Sequence, residues 1–422
     1  MTAEYPLAIG IDLGTSGVRA AALDEGGRQV AFAASSFATP HEIREPAAWW
    51  RGTETCLKVL AARVSFAGVR GIAVDGTSGT VLALDRDKRP VGDALLYNDP
   101  CPDASVIAAI DAAAPAASPA RGTSTALGRA ILLSRRDGVA HVVHQADWIA
   151  MRLGEGEPVS DENNALKTGY DLSGESWPDW IERAGMDRDL LPRVSRAGTK
   201  IGPVGPLARE LGLPPSCMLY AGTTDGCASF LATGASEVGD GVTALGSTLV
   251  LKLASDRLVD APQYGIYSHR VGDFWLVGGA SNSGGAVIRE LIGDERLEEL
   301  TARLDPAKPT QLDYYPLLKP GERFPISDPR YPPRLTPRPA DDAIFFQGIL
   351  EGIAEIERLG FERLTALGAP RLATVRTVGG GARNSAWQEI RRGKLGVPFL
   401  EPRSIEAAAG TAALVLRQEN RH

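Results

Sequence analysis

Cysteine is scarce in this chain. Four residues, Cys56, Cys101, Cys217 and Cys227, are scattered through 422 positions, and none belongs to a C-x-x-C pair. That excludes a disulfide framework and a paired-cysteine zinc site, and it predicts a reducing compartment, by default the cytoplasm. Long apolar runs are also missing: nothing approaches the ~20 residues of a membrane helix. The opening M-T-A-E-Y-P has no basic n-region and no apolar h-region, which argues against a secretory signal. There is no excess of basic charge either. A net charge of −7 argues against nucleic acid as the main partner. Two familiar phosphate motifs are absent as well. No lysine follows Gly14 or Gly17 as a Walker loop requires, and no G-x-G-x-x-G opens a helix, because Val18 to Leu23 is β-rich.

What is present is ordinary for a globular protein: 44% hydrophobic and 23% charged residues exclude disorder. The length exceeds what one core usually supports, so two domains are expected, 1–232 and 233–422, with the boundary near Thr233. The stretch L-A-I-G-I-D-L-G-T-S-G-V-R-A-A-A-L, from Leu7, predicts a strand, a tight turn and a second strand, with a third to follow. Such a hairpin tip can offer backbone N–H groups and the hydroxyls of Thr15 and Ser16 to phosphate oxygens, although G-T-S-G is also simply a tight turn. Asp12 beside it suits a divalent cation, since Mg²⁺ takes one or two carboxylates together with phosphate oxygens and waters.

A second strand–turn–strand, Val69 to Asp85, repeats G-T-S-G and the trailing A-L-D, which suggests an internal repeat. Helices are expected over Pro46 to Val64 and Leu127 to Leu153. The polar S-D-E-N-N-A-L-K run from Ser160 is expected to be a connection. His141 and His144 stand three apart and would share a helix face, but with no third ligand nearby they are expected to pack rather than bind metal. Pro214 to Ala235 predicts strand, turn and helix. Gly241 to Ala254 predicts another hairpin, tipped by Gly246, Ser247 and Thr248. One hairpin from each domain would hold a nucleoside triphosphate from both sides of a cleft.

D-L-G-T-S-G, G-T-T-D-G, A-L-G-S-T and V-G-G-G-A-R-N-S-A-W, in this order, resemble the FGGY family of carbohydrate kinases, members of the actin-like ATPase superfamily. The resemblance runs from Ile9 to about Leu414. It implies an α/β, two-domain actin-like (ribonuclease H-like) fold with an interdomain cleft, and ATP and Mg²⁺ as cofactors. It also implies transfer of the γ-phosphate to a sugar hydroxyl, with small molecules rather than nucleic acid or membrane as partners. Asp225 in G-T-T-D-G would be the catalytic base, against the plainer alternative of a helix cap. Asp12 and Asp225 would hold the metal. Gly14, Thr15, Gly246, Ser247, Thr248, Gly380, Gly381, Asn384 and Trp387 would bind ATP, with Trp387 otherwise a core residue. Asp12, Ser16, Gly17, Ser78 and Asp225 would face the sugar, with Asp75 ordering the Thr77–Ser78 loop and Asp99 a weaker sugar contact.

The D-G-T-S segment is similar to the D-A-T-C/S form of ribulose kinases rather than the G-Q-x-H-G of many xylulose kinases, which favours D-ribulose. The chain departs from the family where Asp99 is followed by Pro100 and Cys101, and where Gly393-Lys394 replaces a common A-D pair. D-xylulose, glycerol or another polyol remain alternative acceptors. A nucleotide-dependent ATPase or regulator without a sugar is the alternative from another class.

Overall fold

The computed structural model describes residues 6–419. Strands β1 (Ala8–Gly14), β2 (Gly17–Leu23), β3 (Gln29–Ser36) and β4 (Gly71–Gly76) open the chain. β5 (Val81–Leu84) pairs with β6 (His141–His144), and β7 (Val159–Asp161) with β8 (Arg193–Ser195), in two small sheets. β9 (Lys200–Pro203) and β10 (Met218–Thr224) return to complete a six-stranded sheet in the order β3-β2-β1-β4-β10-β9. β1 and β4 are buried along nearly their whole length, as expected for strands covered on both faces. β3 alternates buried and open positions as it nears the edge.

The helix Pro46–Arg63 covers one face. Proline fits its first turn, where no N–H is needed, and Trp49, Thr53, Cys56, Leu57 and Leu60 line a buried stripe at helical spacing. The helix Ala407–Glu419 covers the other face. Its Ala408, Ala412 and Val415 pack with Ala8, Ala21, Ala73 and Tyr220. The approach is close: a Cβ on Gly10 would lie 2.0 Å from the Ala408 carbonyl oxygen, and one on Gly410 would lie 1.8 Å from that of Ala228. Glycine is therefore required where this helix meets β1 and where it meets the helix Asp225–Ala232.

The second sheet is built from β11 (Asp240–Leu245), β12 (Leu249–Ser255), β13 (His269–Val271), β14 (Phe274–Ala280), β15 (Thr374–Val378) and β16 (Phe399–Leu400). Its order is β13-β14-β12-β11-β15-β16. The 25-residue helix Asp342–Ala366, capped by Asp341, contributes Phe345, Phe346, Ile349, Leu350 and Ile353 to its core. The chain divides into two compact units, residues 1–234 with 270–272 and 403–422, and residues 235–269 with 273–402. Among the described residues, no helix is long and apolar enough to cross a membrane.

Four expectations need correction. The repeat does not lie between residues 7–33 and 69–85, because β4 runs parallel to β1 and β5 leaves the sheet. It lies between the two sheets: an antiparallel hairpin (β1–β2, β11–β12) extended by a third antiparallel strand, with a parallel strand (β4, β15) on the other side of the first. Leu127 to Leu153 is not continuous helix. Helices Ala126–Ser134 and Gln145–Leu153 are separated by a turn with Gly138 at φ 77° and by β6, whose adjacent valines favour a strand. His141 and His144 therefore sit on a strand, and His144 is buried, its ring nitrogens meeting Asp147, Ser160 and Thr168.

The S-D-E-N-N run is not a solvated connection either; Ser160 to Asn164 are all buried. Burial is tolerated because the polar groups find partners. Asp161 caps the helix Glu162–Lys167 through the amides of Asn163 and Asn164, and Asn163 Nδ2 donates to Thr223 Oγ1. Finally, residues 403–419 were expected with the second domain, but they pack with the first unit through the small-residue helix just described.

Candidate active site

In the first unit, three aspartates collect at the carboxyl ends of parallel strands, where α/β sheets usually bind ligands. Asp12 on β1 is the register partner of Asp75 on β4, and Asp75 in turn pairs with Thr223 on β10. Asp225 follows as the first residue of the helix Asp225–Ala232, where its Oδ1 accepts the Gly226 N–H at 2.7 Å. Thr224 occupies the cap position, so Asp225 is not the cap. Burial holds Asp75 well above the usual carboxylate range, reinforced by the Asp12 charge and, more weakly, by that of Asp225. Thr411 donates to Asp75 Oδ2, while Oδ1 is enclosed without a hydrogen-bond partner. Burial also raises Asp12, opposed by the neighbouring Asp75 carboxyl and by the Arg19 charge.

Arg19 was not singled out from the sequence. It faces Asp12 across the hairpin, with Nη1 3.5 Å from Asp12 Oδ2 and Nη2 2.9 Å from Ser16 Oγ. The signal was available: a two-residue turn at Thr15–Ser16 pairs Gly14 with Gly17 and therefore Asp12 with Arg19. Thr15 and Ser16 are exposed at the tip. Gly17 is not; it is buried at φ 150°, and a Cβ there would lie 2.2 Å from the Ser35 carbonyl oxygen. Close packing against β3 explains why this position is glycine.

Among the described residues no three acidic, histidine or cysteine side chains are arranged to hold a metal alone. Two carboxylates with no imidazole or thiolate between them fit a magnesium that arrives with the nucleotide and keeps phosphate and water ligands. Ser78 lies in the β4–β5 loop with its Oγ enclosed and without a hydrogen-bond partner. The loop is held by Gln145, whose Oε1 accepts the Thr77 N–H at 3.1 Å, and by Thr77 Oγ1, which donates to the Leu13 carbonyl at 3.1 Å.

In the second unit, a cavity of about 500 Å³ opens beside the β11–β12 hairpin. That is within the usual size of a small-molecule site. Gly246 and Ser247 form one wall, Gly380 and Gly381 another, and Phe346 and Leu350 the apolar floor. The hairpin is braced by the helix Gly285–Ile292, whose Gly285 and Ala286 amides donate to the Gly246 and Ser247 carbonyls. Arg289, one turn on, donates to Ser247 Oγ at 2.8 Å, and Arg383 also lines the cavity. Neither cation was foreseen. Thr248 is half-buried behind the tip.

Asn384 and Trp387, expected at the adenosine, both line this cavity, and each is also held by the fold. Trp387 is 3% exposed and donates its indole N–H to the Leu350 carbonyl, so it is core that backs the cavity rather than a free stacking face. Asn384 caps the helix Ser385–Leu395 through the Trp387 amide and donates to Thr301 Oγ1; both ends of its amide are engaged.

Gly381 is the tightest point of this wall. A Cβ there would stand 2.6 Å from the Trp387 ring and 2.8 Å from Leu245 Cβ. Gly381→Ala must therefore push the 379–383 loop into the cavity. The expected result is a KM for ATP raised about tenfold, the low-to-middle range of an overpacking penalty, with the KM for the acceptor sugar within about twofold. Equal ATP saturation curves for both proteins would remove this loop from the nucleotide site.

A larger cavity of about 560 Å³ elsewhere in this unit lies between the helices Asp342–Ala366 and Ser385–Leu395 and residues 306–314. Its Asp313, Glu351 and Glu355 are already engaged by Arg334, by Thr310 and by Arg358 and Lys394.

Residues 7–109 match the N-terminal domain of the FGGY family of carbohydrate kinases, and residues 239–417 match its C-terminal domain. The xylulose kinase of Escherichia coli (strain K12) is 24% identical over 410 residues, covering 90% of this chain and 83% of that protein. The xylulose kinase of Streptomyces coelicolor is 28% identical over 442 aligned residues, covering 97% and 87%. The solved structure of a xyloylose kinase from Brucella ovis superposes with a TM-score of 0.85 at 24% identity, covering 98% of this chain and 91% of that one, a likeness of fold. Both family domains are matched in their proper order, and the chain belongs to the FGGY family of carbohydrate kinases, which transfer phosphate from ATP to a sugar hydroxyl.

Proposed function

We propose that the protein is an ATP- and Mg²⁺-dependent ketopentose kinase in which Asp225 is the general base. The observation that carries this reading is the position of Asp225. It is partly open at a helix start, next to strands whose ends carry Asp12 and Asp75, and its own Oδ1 is steadied by an amide. A carboxylate so placed can accept the proton of a sugar hydroxyl as its oxygen bonds to phosphorus. Asp12, with Arg19 opposite, is suited to holding the magnesium of the nucleotide, which when bound neutralises phosphate charge. Thr15, Ser16, Gly246 and Ser247 are exposed hairpin-tip residues suited to phosphate oxygens. Arg289 and Arg383 add positive charge where a triphosphate would leave the second cavity. The four cysteines are free and buried, which supports the cytoplasmic expectation.

D-Ribulose is the acceptor favoured by the D-G-T-S segment at 75–78, together with the enclosed, unpartnered Ser78 hydroxyl. D-Xylulose is the second reading, favoured by the similarity to the xylulose kinases of Escherichia coli and Streptomyces coelicolor. A coupled ADP-release assay over D-ribulose, D-xylulose, glycerol and other polyols separates them. One pentulose is expected to exceed the rest by at least about tenfold in kcat/KM, the discrimination that a single buried hydroxyl contact supplies. ATP turnover indifferent to every sugar would replace this reading with that of an ATPase.

A further inference from the structure

Arg129, on the helix Ala126–Ser134, is 1% exposed and among the largest fully buried side chains. Among the described residues it meets no carboxylate at ion-pair distance. Nη1 donates to the Asp99 carbonyl at 2.8 Å, Nη2 donates to the Gly79 carbonyl at 2.8 Å, and Nε has no partner. The Asp99 carboxylate is turned elsewhere, to both Nη atoms of Arg44 and to the Leu96 amide. Burial accordingly pushes the Arg129 guanidinium down to about 10. An unpaired buried cation is costly, and a neutral residue would fill the same space more cheaply. What only a planar, two-armed donor supplies is a fixed distance between two carbonyls.

Those carbonyls belong to two loops, 77–80 after β4 and 96–101 after the Val81–Leu95 bridge. The loops touch once more, where the Tyr97 N–H donates to Thr80 Oγ1 at 3.3 Å. Gly79, at φ 88°, lets the chain pass so close that a Cβ would lie 3.3 Å from Arg129 Nη2 and 3.9 Å from Tyr97 Cβ. Two groups in these loops are left unused by the fold: the Ser78 hydroxyl, enclosed without a partner, and the Tyr97 side chain, 43% exposed. A hydroxyl that lacks a partner and an open aromatic ring, on two loops tied to each other, are the chemistry that receives a sugar's hydroxyls and its C–H face.

The geometry points to Arg129 as a positioning residue for the sugar, acting through Gly79 and Asp99 to set the spacing of Ser78 and Tyr97. This inference rests on the ketopentose kinase reading, and it adds Tyr97 and Arg129 to the acceptor side of that reading.

The test uses the full chain carrying Arg129→Met or Arg129→Lys. Two things are measured: amide hydrogen exchange in residues 77–80 and 95–101, and KM for sugar and for ATP. Arg129→Met leaves two carbonyls without donors; exchange in both loops is expected to speed up, and the KM for sugar to rise about tenfold. The KM for ATP is expected to stay within about twofold. Arg129→Lys keeps the cation and one carbonyl, and should recover part of the sugar KM; it also serves if the methionine variant does not fold. Unchanged exchange in the loops, or KM values for sugar and ATP that rise together, would overturn the inference. If the wild-type chain phosphorylates no sugar, the functional reading falls, while the exchange data still decide whether Arg129 ties the two loops.

Discussion

Asp225→Ala is expected to lower sugar phosphorylation by roughly 10²- to 10⁴-fold, the range a positioned general base contributes. Nucleotide affinity should change by less than about twofold. The argument is local. Asp225 opens a helix whose cap is the preceding Thr224, and its carboxylate accepts the neighbouring Gly226 N–H. An acid in the first turn stabilises a helix by about 0.3–1 kcal/mol through the helix dipole, so its loss leaves the fold intact. The loss should appear in kcat rather than in the KM for ATP, because proton removal matters in the transition state and not in ground-state binding of the nucleotide.

Asp225→Asn sharpens the test. The amide keeps the shape and can still accept the Gly226 N–H, but it cannot accept the sugar's proton. An asparagine variant as slow as the alanine variant places the effect on basicity. An asparagine variant near the wild-type rate would mean that Asp225 shapes the site without taking a proton, and the assignment of the base would fail.

Much of this arrangement was legible in the sequence because it is local. The D-L-G-T-S-G hairpin, the G-T-T-D-G strand-to-helix turn and the β11–β12 hairpin are short-range structures, specified by glycine spacing and by β-rich runs on either side. Arg19 was legible in principle, since hairpin register fixes its partner. What escaped was long-range. Ser160 to Asn164 are polar and so suggested a loop, yet Asn163 is buried against Thr223, sixty positions away. The recurrence of G-T-S-G marked a similar turn and not the true repeat, which is a matter of strand order. The helix Ala407–Glu419 was placed with its neighbours in sequence, whereas its alanines fit it to Gly10 on β1, at the far end of the chain. Trp387 and Asn384 line the cavity as their motif suggested, and their second duties, in the core and at a helix cap, depend on Leu350 and Thr301 far away in sequence.

The second large effect is on stability. Arg391 and Glu357 are both fully buried and bonded in parallel, Nε to Oε2 at 2.6 Å and Nη2 to Oε1 at 2.7 Å. Thr243 on β11 donates to Glu357 Oε1 at 2.6 Å, and Arg391 Nη1 donates to Thr377 Oγ1 on β15 at 2.8 Å. One ion pair thus joins two helices to two adjacent strands of the second sheet, and every oxygen of the carboxylate is used. Removing one partner strands the other charge in an apolar core, which costs about 3–5 kcal/mol. For a unit of this size, that is a fall of about 6–20 °C in Tm.

Arg391→Ala is therefore expected to move the melting transition of the second unit by that amount in differential scanning calorimetry. The double variant Arg391→Met/Glu357→Leu should recover part of the loss, because a buried pair replaced as a whole by apolar side chains leaves no unpaired charge. The two threonines then keep only their own hydroxyls to satisfy, a penalty of about 1–3 kcal/mol each at most. A single variant that melts within about 2 °C of the wild type would show that water reaches Glu357, and that the pair does not bear on the stability of the sheet it spans.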